Sequence, residues 1–158
     1  MEDIKFCNLF KLLNNNCIFT EKIKDSFLLL LSELTITNYL DTDLFISNLT
    51  KIHEQGEIII AYTGSFDNDN FEIIASGTLI IEPKIIREGK SVGHIEDIVV
   101  AKHFRSFGLS QKILDILKER AREKNCYKVI LDCSEEVKNV YIKNGFQVKG
   151  IQMAEYFN

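Results

Sequence analysis

Apolar and polar residues along this chain switch between two periods, and the switching lays out strands interleaved with helices. Ile58 to Tyr62 and Phe71 to Ile81 are dense in β-branched and aromatic residues. The polar run between them, Gly64-Ser65-Phe66-Asp67-Asn68-Asp69-Asn70, has the composition of a hairpin loop. The pattern predicts strands over 57–63 and 71–82, and another over about 93–101. Upstream, Phe6 to Leu13 reads as a first strand, and Asn14-Asn15-Asn16 as a turn before a short strand. Thr20 is placed to cap a helix reaching about Leu34, and Asp41 or Thr42 to cap one reaching about Gln55. From Ser110 to Lys124 the apolar residues Ile113, Leu114, Leu117 and Ala121 fall at i, i+1, i+4 and i+8, which is a helical stripe. Val129 to Cys133 reads as a short buried strand. Glu135 to Asn144 reads as a helix that Gly145 ends, and Phe146 to Tyr156 as a last strand. Strands and helices mixed in this order predict an α/β or α+β sandwich, with residues 1–158 forming one domain.

Composition narrows the function. A chain of 158 residues is long enough to bury a core without staples. A net charge of −4 argues against nucleic acid as a partner, although it leaves room for a local basic site. The longest apolar run, Phe27 to Leu31, is too short to span a membrane, and Glu2, Asp3 and Lys5 precede any apolar run, unlike a signal peptide. Cys7, Cys17, Cys126 and Cys133 have no CxxC spacing. They read as reduced thiols in a cytoplasmic protein, with no metal site.

The segment Gly93-His94-Ile95-Glu96-Asp97-Ile98-Val99-Val100 is followed by Arg105-Ser106-Phe107-Gly108-Leu109-Ser110 and the amphipathic helix. A strand that passes through a short turn into a helix exposes backbone N–H groups at the positive end of the helix dipole. Gly108 lets a diphosphate approach the backbone, and Arg105 adds a charge-assisted contact. The same turn also suits an ordinary strand-to-helix connection. Glu96 and Asp97 interrupt a β-branched run, and neighbours in a strand face opposite ways. At least one of them should therefore face the interior or a cleft unless a bulge redirects it. Asp132 is a third acid set in an apolar run, Val129 to Cys133. Three acids on one face would bind an amine.

These segments resemble a known family. Arg105-x-x-Gly108-x-Ser110 is similar to the loop that cradles the coenzyme A pyrophosphate in GNAT acetyltransferases, and Val140 to Phe146 resembles their later Phe-Tyr-x-x-x-Gly-Phe element. Gly93 to Val100, Asn125 to Cys133 and Thr78 to Ile85 resemble the glucosamine 6-phosphate N-acetyltransferases nearly residue for residue, and Glu33-Leu34-Thr35 with Phe45 resembles their first two helices. The resemblance implies a central mixed, mostly antiparallel, twisted sheet flanked by helices, with strands splayed at the acetyl-CoA site. It implies acetyl transfer from acetyl-CoA to the amine of glucosamine 6-phosphate, in the synthesis of UDP-N-acetylglucosamine. It also implies a homodimer in which the C-terminal strand of one subunit completes the other's site.

Carried over by position, Glu96 and Asp97 hold sugar hydroxyls and help place the amine, with Glu96 or Asp132 taking its proton. Asp132 orients the amine, and Tyr141 stabilises or protonates the departing thiolate. Leu34 and Thr35 contact the sugar phosphate. Ile98, Val99 and Val100 pair with the pantetheine arm. Arg105, Ser106, Phe107, Gly108, Leu109 and Ser110 hold the pyrophosphate, with Tyr141 and Lys143 also on the coenzyme. The chain departs from the family in three places. Ser110 stands where Gly or Ala is usual, and Val137 where Asn is frequent. Met153 to Phe157 has Tyr156 but lacks the Arg that reaches the partner's sugar phosphate. Lys84 and Arg87 are the substitute candidates for phosphate. Two rival readings are acetylation of another small amine or a protein N-terminus, and a non-catalytic acyl-CoA-binding module.

Overall fold

Asn8 decides how the chain opens. Its side chain accepts the N–H of Lys11 at 3.1 Å, a helix N-cap, so the predicted strand over Phe6 to Leu13 is cut short. Strand β1 covers Lys5–Asn8 and helix α1 follows at Leu9–Asn15, burying Leu9, Leu12 and Leu13 at helical spacing. The computed structural model describes residues 3–157. After α1, a 3₁₀ turn at Cys17–Phe19 stands where a short strand was expected. Helix α2 (Thr20–Leu31) starts at Thr20, but that hydroxyl donates back to the Cys17 carbonyl instead of capping. Helix α3 (Thr42–Gln55) is capped as expected: the Asp41 carboxylate accepts the N–H groups of Asp43 and Leu44.

Strands β2 (Gly56–Thr63) and β3 (Glu72–Pro83) form the expected antiparallel hairpin. β4 (Ser91–Val100) pairs antiparallel with β3, and β5 (Cys126–Ile130) pairs parallel with β4 through helix α4 (Leu109–Glu123). The five strands make one mixed sheet, ordered β1-β2-β3-β4-β5, flanked by helices. β5 begins and ends three residues earlier than predicted. Asp132 and Cys133 therefore lie beyond the strand, in the extended segment that leads to helix α5 (Lys138–Lys143). Helix α5 is shorter than predicted, because residues 135–137 form turns. Its end behaves as expected: Gly145 has φ +87°, its N–H reaches the Ile142 carbonyl and that of Phe146 reaches Tyr141, which is a Schellman motif.

Helix α4 is seated through one glycine. A side chain on Gly77 of β3 would come within 2.5 Å of Ile98, 2.7 Å of Ile113 and 2.9 Å of Leu117. Gly77 thus lets α4 lie directly on the sheet, with Ile113, Leu114 and Leu117 fully buried. Each such side chain stabilises the fold by about 1.5–3 kcal/mol. The other end of the chain is different. Among the described residues, 146–157 form no strand, which corrects the expectation for Phe146 to Tyr156, and one edge of β5 has no neighbour. Among the described residues, no helix is long and apolar enough to cross a membrane.

Candidate active site

The site begins with a misfit between two strands. Thr78 pairs with Glu96 and Ser76 with Val99, so Asp97 and Ile98 together oppose Gly77. The extra residue is a β-bulge, with Asp97 at φ +52°. It answers the question that Glu96 and Asp97 raised in the sequence: the strict alternation of faces breaks, and both carboxylates are exposed. Below the bulge, β4 pairs with β5 only as far as His94 and Ile130. Beyond that point β4 runs on to Val100 with β3 alone beside it. The main chain of Ile98, Val99 and Val100 is thereby left on an open edge that a second extended chain of amides can pair with. The Val99 side chain is buried in the core, so only its backbone can serve a ligand.

The open edge leads into an anion site. A 3₁₀ turn at Lys102–Phe104 brings the chain to Gly108, whose φ of +70° favours glycine, and α4 starts there. No side chain caps this helix and no acid occupies its first turn, so its N–H groups and positive dipole end face outward. A Cβ at Gly108 would meet nothing within 4 Å: the glycine answers to backbone conformation and leaves an open approach to the amides. These features fit a diphosphate. Arg105 and Ser106 are exposed beside it, and Phe107 is exposed with its ring tilted at 49° against Phe104. Ser110 is partly exposed, whereas the Leu109 side chain is buried, so Leu109 offers only its N–H.

Glu96 feels the other two acids: partial burial, and then the negative charges of Asp97 and Asp132, push its carboxyl above the ordinary range. That coupling could not be read from the sequence. Tyr141, on α5, is half-buried, and burial raises its hydroxyl above the usual value, with the Cys133 side chain adding to the effect. Its ring meets Phe146 edge-on at 6.0 Å, and Lys118 lies 5.3 Å over the Phe146 ring while donating to the Asn144 carbonyl at 2.7 Å. Those contacts fasten α5 to α4. Asp132, Cys133 and Tyr141 share a cleft of about 1000 Å³ that lies along the free edge of β5, under residues 144–152. Neither the β4 edge nor the Gly108 turn lines this cleft.

The remaining candidates divide. Leu34 and Thr35 are exposed in the turn after α2, and Lys143 is exposed in the last turn of α5. Lys84 is paired with Glu82, whose other oxygen lies 2.6 Å from His94 Nε2. Lys84 first and His94 second hold Glu82 below the usual carboxylate range. A groove of about 400 Å³ is lined by Glu82, His94 and Glu96. Arg87 instead lies over the Tyr127 ring at 5.6 Å. His53 stacks on Phe10 at 4.0 Å, away from these groups. The sequence names Glu33 only within the resemblance of Glu33-Leu34-Thr35 and gives it no role. It carries no local signal, because its partners lie 69 and 72 positions away. Among the described residues no cluster of three or more His, Cys, Asp or Glu is placed to hold a metal ion.

Known proteins share this architecture and sequence. The pattern described as "Acetyltransferase (GNAT) family" matches residues 25–146. Glucosamine 6-phosphate N-acetyltransferase of Arabidopsis thaliana is 36% identical over 135 residues, covering 85% of this chain and 90% of the relative. Glucosamine 6-phosphate N-acetyltransferase 1 of Dictyostelium discoideum is 39% identical over 115 residues, 71% of each chain. The crystal structure of the Arabidopsis thaliana glucosamine-6-phosphate N-acetyltransferase superposes with a TM-score of 0.83 at 32% identity, covering 99% of this chain and 100% of that one. The splayed strands, the uncapped helix and these matches agree: this chain belongs to the GNAT acetyltransferase family, among the glucosamine 6-phosphate N-acetyltransferases.

Proposed function

We propose that residues 1–158 act as one acetyltransferase domain that moves the acetyl group of acetyl-CoA onto the amine of D-glucosamine 6-phosphate. The products are N-acetylglucosamine 6-phosphate and coenzyme A, and the reaction proceeds by direct attack within a ternary complex, without a metal. The observation that carries this reading is the bulged β4 edge, with Glu96 and Asp97 exposed on it, leading into the uncapped α4 N-terminus. Acetyl-CoA supplies the thioester. Arg105 to Ser110 hold its diphosphate, and the backbone of Ile98 to Val100 aligns its arm. A carboxylate of the cluster accepts the ammonium proton, with the raised Glu96 suited to that exchange. As the N–C bond forms and the C–S bond breaks, a main-chain N–H near Val99 faces the charge on oxygen and Tyr141 gives a proton to the sulfur. The burial that raises Tyr141 keeps its proton available.

Leu34, Thr35 and Lys84 are the acceptor-phosphate side of the proposal. The free β5 edge, together with an unpaired C-terminal segment exposing Ile151, Met153 and Tyr156, supports a homodimer in which that segment completes the partner's site. The four free thiols suit a reducing cytoplasm, and the product feeds synthesis of UDP-N-acetylglucosamine. Paired assays with glucosamine 6-phosphate and glucosamine test the substrate. The phosphorylated sugar should be preferred in kcat/KM by about a hundredfold or more, because the phosphate contacts are lost otherwise. Equal use of both sugars would instead favour another small amine, the reading to which Tyr156 without a neighbouring Arg also points.

A further inference from the structure

The acceptor side and the coenzyme side are joined by one carboxylate. Glu33 lies in the turn after α2, which is closed by the N–H groups of Leu34 and Thr35 donating to the Leu31 carbonyl at 3.0 and 3.1 Å. Its Oε2 accepts the main-chain N–H of Lys102 at 2.9 Å and lies 3.4 Å from Arg105 Nη2. The Arg105 Nε donates to the Val100 carbonyl at 3.2 Å, at the end of the open β4 edge. Among the described residues, no other hydrogen bond connects the turn carrying Leu34 and Thr35 with the loop from Lys102 to Gly108. The Glu33 side chain is 25% exposed and that of Arg105 56%, so the guanidinium remains open to a ligand while Glu33 is largely covered.

The two bonds of Glu33 act differently toward an anion. The bond to the Lys102 N–H fixes the acceptor turn, and a neutral amide oxygen in the same place keeps it, though less strongly than a carboxylate. The contact with Arg105 partly neutralises the cation that faces the diphosphate, so the Glu33 charge opposes anion binding at the Gly108 turn. We propose that Glu33 is a positioning residue that couples the two substrate sites: it anchors the acceptor turn onto the coenzyme loop and lowers the affinity of that loop for coenzyme. The inference rests on the reading of Leu34 and Thr35 as acceptor contacts and of Arg105 to Ser110 as the diphosphate loop. Because coupling is reciprocal, ligand at either site changes affinity at the other through this one side chain.

Two variants separate the two bonds. Glu33→Gln keeps the shape and the acceptor for the Lys102 N–H but removes the charge. Coenzyme A should then bind about threefold more tightly by calorimetry, the scale of one partly exposed ion pair, while the acceptor KM stays near that of the unaltered chain. Glu33→Ala removes the anchor as well. Coenzyme A should again bind more tightly, while the acceptor KM rises about fivefold to tenfold, as for one lost hydrogen bond of ordinary strength. These effects fall on affinities in opposite directions, which general loosening of the fold does not produce. Coenzyme affinity that is unchanged or weaker in both variants, or an acceptor KM unmoved by Glu33→Ala, overturns the proposal. An unaltered chain that neither binds coenzyme A nor acetylates an amino sugar overturns the underlying functional reading instead.

Discussion

The region around β3, β4 and α4 and the region after β5 solve opposite problems. In the first, every apolar residue of the α4 stripe is buried, the helix sits directly over Gly77, and the Gly108 turn is held by that seating. In the second, Ile151, Met153 and Tyr156 are each more than 90% exposed, and β5 keeps an unpaired edge. A coenzyme site built from main-chain atoms needs a rigid backbone and one glycine. An acceptor site built from carboxylates, a tyrosine and phosphate contacts needs side chains from several segments, and here those segments are not all packed against the core. The contrast predicts that coenzyme binding belongs to the single chain, whereas amine acetylation needs the outer segment to be in place.

The sharpest way to break that comparison is to remove residues 147–158. Acetylation of glucosamine 6-phosphate should fall by about a hundredfold or more, since misplaced reactants lose most of the benefit of positioning. Coenzyme A affinity, read by calorimetry, should change little, and an equal loss of both would show that the two regions are one. Leu117→Ala is the reciprocal case: the leucine is fully buried under α4, and urea unfolding should show a loss of about 3 kcal/mol. A loss below about 1 kcal/mol would mean that α4 is not seated as described.

Within the site, Tyr141→Phe should lower kcat about a hundredfold, within the range for a positioned general acid, and leave the coenzyme Kd unchanged. An unaltered kcat removes Tyr141 from the chemistry. The smallest effect concerns pH. Burial and the charges of Asp97 and Asp132 raise Glu96, so its ionised form is lost at a higher pH than for an ordinary glutamate. If that form handles the ammonium, the acid limb of kcat/KM follows it. Asp97→Asn removes one repelling charge, lowers the Glu96 value, and should move the acid limb to lower pH. A limb that stays or moves upward contradicts the coupling.

The elements that the sequence made legible are those that depend on local rules. The Asp41 cap, the apolar stripe of α4 and the Gly145 helix end are each set by neighbours within a few residues, and each is found where expected. The bulge at Asp97 was visible only as a conditional, since two adjacent acids fit either a bulge or a half-buried strand. Asn8 was misread because its capping bond competes with strand pairing, and composition alone does not decide that contest. The end of β5 and the final segment were misplaced for a related reason. β-rich composition becomes a strand only beside a neighbour, and among the described residues, 146–157 pair with no strand. The role of Glu33 was hidden because its partners are distant along the chain.

The central claim is that main-chain amides at the start of α4 hold a diphosphate and so aim a thioester at the carboxylate cluster. A crystal structure with coenzyme A bound tests it most directly. The account predicts diphosphate oxygens about 3 Å from N–H groups between Ser106 and Ser110, with the pantetheine arm along Ile98 to Val100. Coenzyme seated instead in the cleft beside β5, with the Gly108 turn untouched, would contradict it.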